Sequence, residues 1–174
     1  MKILMKTCLL LFMVIGFGTT TFAQANASAT ANTTATIVTP LSISNSIALE
    51  FGNVAVGSTA GTVVMTPAGV RTAGNGVTLP ATTGTVSAAS FNVAGQASYT
   101  YSITLPASVT LDDNNLNTML VNAFTSNPAA GANGVLDAGG SQVLTVGATL
   151  NVGASQVAGT YESDTDFEVT VVYN

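Results

Sequence analysis

The side chains of this sequence with a capacity for proton transfer or metal ligation are nearly all carboxylates: Glu50, Asp112, Asp113, Asp137, Glu162, Asp164, Asp166 and Glu168. There is no histidine, and the single cysteine, Cys8, lies near the amino terminus. A Ser-His-Asp or Cys-His arrangement needs an imidazole base or a thiolate. Beyond residue 23 the chain has neither, and no lysine to act as an amine nucleophile. Zinc and copper sites draw on His and Cys and fall with them. A phosphate cradle needs a glycine-rich loop opening into a helix N-terminus. Gly57-Ser58 and Gly74-Asn75-Gly76 lead into no helical pattern and read as turns.

Two carboxylate chemistries survive. Paired acids hydrolyse glycosides, but these acids stand in solvent-like contexts and no tryptophan is present to stack a sugar. The run Asp113-Asn114-Asn115-Leu116-Asn117 has the oxygen spacing that opens an EF-hand calcium loop. Thr118 stands where that loop needs glycine, and Phe124 where it needs an acid. A polar turn is the preferred reading, with a looser calcium loop as the alternative. No catalytic residue, metal ligand or cofactor is assigned, and the chain is not expected to be an enzyme.

The carboxyl-terminal segment, residues 160–173, is expected to be a strand with two distinct faces. Phe167, Val169, Val171 and Tyr173 fall on one, and Glu162, Asp164, Asp166 and Glu168 on the other. Same-face neighbours lie roughly 7 Å apart, within the Debye length at physiological salt, so the four acids repel one another. A solvated face that deters edge-to-edge pairing accounts for them; a cation-binding stripe or a partner-recognition face are the alternatives.

These side chains need a scaffold, and the pattern upstream supplies strands. Ile37, Val38, Leu41 and Ile43 open the series, followed by residues 47–51, 61–65, 77–79, 85–93, 97–105 and 143–152, with turn chemistry between them. In 97–105, Tyr99, Tyr101, Ile103 and Leu105 alternate with polar residues. The stretch 116–124 fits a helix through Leu116, Met119, Leu120, Ala123 and Phe124, and equally a strand through Met119, Val121 and Ala123. In an all-β neighbourhood the strand is taken. Short strands and regular turns without helices argue for a sandwich or a barrel, the sandwich being preferred.

The amino terminus sets the expected compartment. Lys2 and Lys6 precede the apolar run 8–17, and Thr21-Phe22-Ala23 places small residues at a cleavage site, the layout of a secretory signal peptide. That apolar run is too short to span a bilayer, which takes roughly 20 helical residues. The expected organisation is a cleaved signal over 1–23, a low-complexity extension over 24–36 and one β-sandwich domain over 37–174. In the extension Ala25, Ala27, Ala29, Ala31 and Ala35 share one face of a period-two pattern. This segment is either a solvated leader or a strand awaiting a partner groove. After cleavage the only base is Arg71 against eight acids, which disfavours nucleic acid and anionic membrane surfaces as partners. No membrane span is expected after cleavage, and the expected location is periplasm, cell surface or extracellular space.

Several motifs in order resemble a known family: Pro40-Leu41-x-Ile43, Leu49-Glu50-Phe51-Gly52, Phe91-x-Val93-x-Gly95, Tyr101-x-Ile103-x-Leu105-Pro106, Val146-Gly147-Ala148-Thr149-Leu150, Gln156-x-x-Gly159-x-Tyr161 and the closing Val169-Thr170-Val171-Val172-Tyr173-Asn174. The family is a bacterial secreted one, catalogued as a domain of unknown function (number forty-four-oh-two). More distantly, Phe51-Gly52, Gly159-Thr160-Tyr161 and Tyr173 are similar to marks of spore coat protein U and fimbrial subunits. That similarity implies an immunoglobulin-like or pilin-like antiparallel β-sandwich. It also implies a strand-addition groove lined by Phe167, Val169, Val171 and Tyr173, with Ala25, Ala27, Ala29, Ala31 and Ala35 as the donor arm. A self-contained sandwich in which those four residues are ordinary core is the alternative. The expected function is an exported, non-catalytic structural protein, a cell-surface or fimbria-like subunit that pairs with itself or with another surface protein. A monomeric secreted binding module for a glycan or surface partner is the runner-up.

Overall fold

A computed structural model describes residues 26–174 and divides the chain into two units, Met1–Thr36 and Ile37–Asn174. In the first, residues 26–36 have no regular secondary structure and are exposed throughout. Ala27, Ala29, Ala31 and Ala35 lie in that stretch, whereas Ala25 and the expected signal segment 1–23 lie outside the described residues.

The second unit is all-β, with antiparallel sheets and no helix among the described residues. Its strands are β1 (Ser42–Ile47), β2 (Ala55–Met65), β3 (Arg71–Thr78), β4 (Ala89–Ala94), β5 (Thr100–Thr104), β6 (Ser108–Asp112), β7 (Thr118–Asn127), β8 (Gly131–Val135), β9 (Ser141–Val152) and β10 (Thr170–Tyr173). A seven-stranded sheet and a three-stranded sheet, ordered β10-β5-β8, make a β-sandwich.

β9 organises the larger sheet. One of its edges pairs with β4 through Ser141 to Val146 and then with β2 through Thr149 to Val152. Its other edge pairs with β7, which carries β6 on its far side. The changeover from β4 to β2 falls at Gly147, where a Cβ would collide with the Met65 carbonyl oxygen and the Thr66 carbonyl carbon. Only glycine admits backbone that close. Opposite it, β7 carries a bulge. Asn122 faces Thr149 but Thr125 faces Gly147, and Ala123 takes φ 49°. The extra residue reverses the alternation, so Val121 and Phe124 both point inward. The strand reading therefore holds from Thr118 onward, with Phe124 in place of Ala123 on the inner face, while Leu116 lies exposed in the turn before it.

Two hydrophobic clusters follow. The first joins Phe91, Val93, Leu144 and Val146 of the large sheet to Tyr101 and Ile103 of β5, together with Leu136 and Val169. The second collects Val63, Met65, Val77, Val121, Leu150 and Val152 beneath Phe51. Among the described residues no strand of the small sheet reaches this second cluster. It is covered instead by irregular chain such as Leu49 and Val54. Leu49 and Phe124 touch both clusters. The small sheet thus closes one half of the sandwich and leaves the other half to loops.

Three expectations need correction. Gly74-Asn75-Gly76 lies inside β3 and is not a tight turn: Gly74 and Asn75 pair with Thr62 and Gly61, Asn75 takes φ 55°, and the extra residues of the β2–β3 register shift, 57–60, lie on β2. Gly57 and Ser58 likewise lie within β2. The closing strand begins only at Thr170, so residues 163–169 run as irregular chain.

Candidate functional site

β10 pairs with β5 and with no other strand among the described residues. Asn174 N–H donates to the Thr100 carbonyl at 3.2 Å, which fixes the alternation. Thr170 and Val172 turn their main-chain groups towards β5, so Val171 and Tyr173 direct N–H and C=O away from the sheet. The side chains alternate at right angles to this. Val172 is exposed, while Val169, Val171 and Tyr173 face the first core cluster.

The four groove residues expected from sequence are therefore brought together on one inner face, though Phe167 precedes the strand. Its ring meets Phe91 edge-on at 6.0 Å between centroids and lies tilted against Phe124 at 5.2 Å. Tyr173 packs edge-on to Tyr99 at 5.7 Å. The Tyr173 hydroxyl donates to the Thr39 carbonyl at 2.8 Å and accepts from the Gln96 N–H at 2.6 Å. One phenol thereby ties the chain entering β1 to the turn after β4. Gly95 leaves room for it, because a Cβ there would strike the hydroxyl.

A second feature, absent from the sequence reading, lies where the small sheet stops. A cleft of about 1140 Å³ opens between the β1–β2 connection, the β6–β7 hairpin and residues 156–167. Its apolar wall includes Leu111, Met119, Val121, Phe124, Leu150 and Phe167. Glu50, Glu162 and Asp166 also line it. A smaller slot of about 480 Å³ runs beside β6 and shares Val109, Asp166 and Phe167 with the cleft. Its carboxylates are Asp112, Asp164, Asp166 and Glu168.

β6 itself has an open edge. Asp112 exchanges both main-chain hydrogen bonds with Glu162, at 2.8 and 2.9 Å, on the side away from β7. Ser108 and Thr110 share the parity of Asp112 and so point N–H and C=O the same way. The ladder with residues 162–168 stops after its first rung. That rung places two carboxylates opposite each other. Continuing it would set Asp164 and Asp166 opposite Thr110 and Ser108 on the same face as Asp112 and Glu162, lining four carboxylates along one face at roughly 7 Å spacing, which like charge disfavours. The acidic residues thus follow a bend along β6 and do not share one strand face. The alternation Ser108-Val109-Thr110-Leu111-Asp112 ahead of a polar turn is the signal that marks this hairpin.

The polar turn itself behaves as Asx chemistry directs. Asp113 Oδ1 accepts from the Asn115 and Asn117 amides at 2.8 and 3.1 Å, and Oδ2 from the Asn117 side chain at 2.7 Å. Desolvation works to raise the Asp113 pKa, but these hydrogen bonds together outweigh it and hold the group below its ordinary value. Asp137 does the same between β8 and β9. Its hydrogen bond from the Ser141 amide, aided by the Ser141 hydroxyl and the Gly139 amide, lowers its pKa against a smaller desolvation effect. Arg71, the only basic residue described, is engaged internally: its Nη1 donates to the Phe51 carbonyl and, at 3.0 Å, to that of Asn53.

Among the described residues no group of three or more acidic, His or Cys side chains converges as a metal site, and no buried side-chain nitrogen or oxygen lacks a partner. No described helix is long and apolar enough to cross a membrane. Comparison with curated proteins and with solved structures gives no significant match in either set. A family profile matches residues 41–173, which run from the residue before β1 to the last residue of β10 and so take in every strand described above. On that match the chain belongs to the family described as Domain of unknown function (DUF4402).

Proposed function

We propose that this is an exported, non-catalytic structural subunit of a bacterial cell surface, and that copies join by strand addition at the outer edge of β10. The observation that supports this is the open edge itself, where Val171 and Tyr173 present main-chain donors and acceptors to no partner among the described residues. An added strand recovers those hydrogen bonds, and its alternate side chains meet the core margin. The donor is residues 24–36 of a neighbouring copy. That segment is uncharged and alternates Ala with Asn, Ser and Thr over most of its length. Phe167, Val169, Val171 and Tyr173 already fill the inner face with their own bulk, so an incoming strand needs little apolar volume. Alanine suits such a shallow groove, whereas large side chains would overpack it.

The test compares the chain beginning at Gln24 with one lacking residues 24–36, by size-exclusion chromatography and negative-stain microscopy. Polymers from the longer chain and monomers from the shorter are the expected pair. Monomers from both refute self-assembly through the arm.

A further inference from the structure

We propose that the apolar cleft beneath residues 156–167, with the open edge of β6 beside it, is a docking site for an extended, lysine- or arginine-bearing segment of a different protein. This goes beyond assembly through β10 and uses another edge of the fold.

Three observations converge on it. The cleft, at about 1140 Å³, exceeds the roughly 300–1000 Å³ of ordinary small-molecule pockets, and it continues into the slot along β6. Main-chain groups of Ser108 and Thr110 face that slot, so a bound segment resumes the ladder that Glu162 begins at Asp112. Alternate side chains of the segment then reach Val109, Leu111 and Phe167, which line the apolar side.

Charge selects the occupant. Glu50, Asp112, Glu162, Asp164, Asp166 and Glu168 line the two cavities. Arg71, the only base among the described residues, is turned to the carbonyls of Phe51 and Asn53. The described residues of a second copy therefore bring no free cation, residues 26–36 being uncharged. No three of the acids converge on a metal position. A small polyamine offers charge but no backbone for Ser108 and Thr110. A cationic peptide segment with apolar residues at alternate positions satisfies all three features, and long-range attraction speeds its encounter with the site.

The test titrates the chain beginning at Gln24 with a short peptide alternating lysine and valine, followed by amide chemical shifts. Its glutamate–valine counterpart and a peptide of the sequence 26–36 serve as comparisons. The expected result is saturable binding of the lysine peptide alone. Shifts centre on Ser108 and Thr110, and not on Val171 and Tyr173, which separates this site from the β10 edge. Affinity falls with added salt. Replacing Asp164, Asp166 and Glu168 together by Asn, Asn and Gln weakens binding by about tenfold. Thr110→Pro removes an N–H that faces the slot and leaves the β7 ladder intact, so it blocks binding in a folded protein. Equal binding of the glutamate peptide, preference for the 26–36 peptide, shifts confined to β10, or no binding of the lysine peptide each overturn the proposal. If Thr110→Pro fails to fold, the charge-neutralised protein decides the matter alone.

Discussion

Replacing Tyr173 by phenylalanine removes one oxygen and keeps the ring that packs on Tyr99, so it isolates the two hydrogen bonds made by that hydroxyl. The acceptor at Thr39 is exposed and regains water once the phenol is gone, which places this bond near the low end of the usual range, about 0.5 kcal/mol. The Gln96 N–H is part-buried and is left without a partner, a loss of about 1–1.5 kcal/mol. The sum is about 1.5–2 kcal/mol, which lowers the melting temperature of a domain this size by about 4–8 °C. Circular dichroism melts measure it directly, with Tyr99→Phe as the control because Tyr99 is 45% exposed. Hydrogen exchange at the Gln96 amide should accelerate in Tyr173→Phe alone. A midpoint for Tyr173→Phe equal to that of Tyr99→Phe, with Gln96 exchange unchanged, refutes the idea that this phenol fastens the entry to β1 onto the turn after β4.

Gly147→Ala drives a Cβ into main-chain atoms of Met65 and Thr66, which cannot rotate aside; a loss of about 2–3 kcal/mol in urea unfolding is expected. Arg71→Met deprives the Phe51 and Asn53 carbonyls of their donor, and with partial solvent screening should cost about 1–2 kcal/mol, seen as a lower melting point. Asp137 and Asp113 have folded pKa values below their unfolded ones, near 3.9. Their contribution is present above the unfolded value and is lost as pH falls through the folded value, so stability declines on acidification below about pH 4. Asp137→Asn should flatten part of that decline in an acid titration followed by circular dichroism, while reducing stability at neutral pH.

The long strands were legible because their residues alternate or form apolar runs against a sheet. β9 matches the run over 143–152 closely, and Tyr101 and Ile103 of β5 stand out from their polar neighbours. β8 was not legible. Gly131-Ala132-Asn133-Gly134-Val135 has almost no side chain to pattern, and its place is set from across the sheet, where the Tyr101 ring occupies the space a Cβ at Gly134 would need. The bulge at Ala123 was hidden for a related reason, since it answers the Gly147 changeover on a strand more than twenty residues away. Of the candidate site, the inward face of Phe167, Val169, Val171 and Tyr173 could be read from its period of two. The cleft could not, because it arises where one sheet ends before the other, and strand length in one segment says nothing of coverage in another.

The position of β9 has a kinetic consequence. β4 and β2 come earlier in the chain, yet the strand they share is completed only at Val152, so Gly61 must wait for a partner 91 residues further on. Contacts that distant are slow to form. Until they do, β2 and β4 lack the neighbour that will lie between them and β7, and the apolar faces of both clusters stay open. A chain emerging end-first therefore passes through a long interval in which its aggregation hazard exceeds that of the finished protein. Nearly neutral strands rich in Thr, Ser and Asn carry little charge to hold such chains apart. Anything that holds β2 and β4 apart from other copies until residue 152 has emerged raises the yield of folded protein without adding a single contact to the native state.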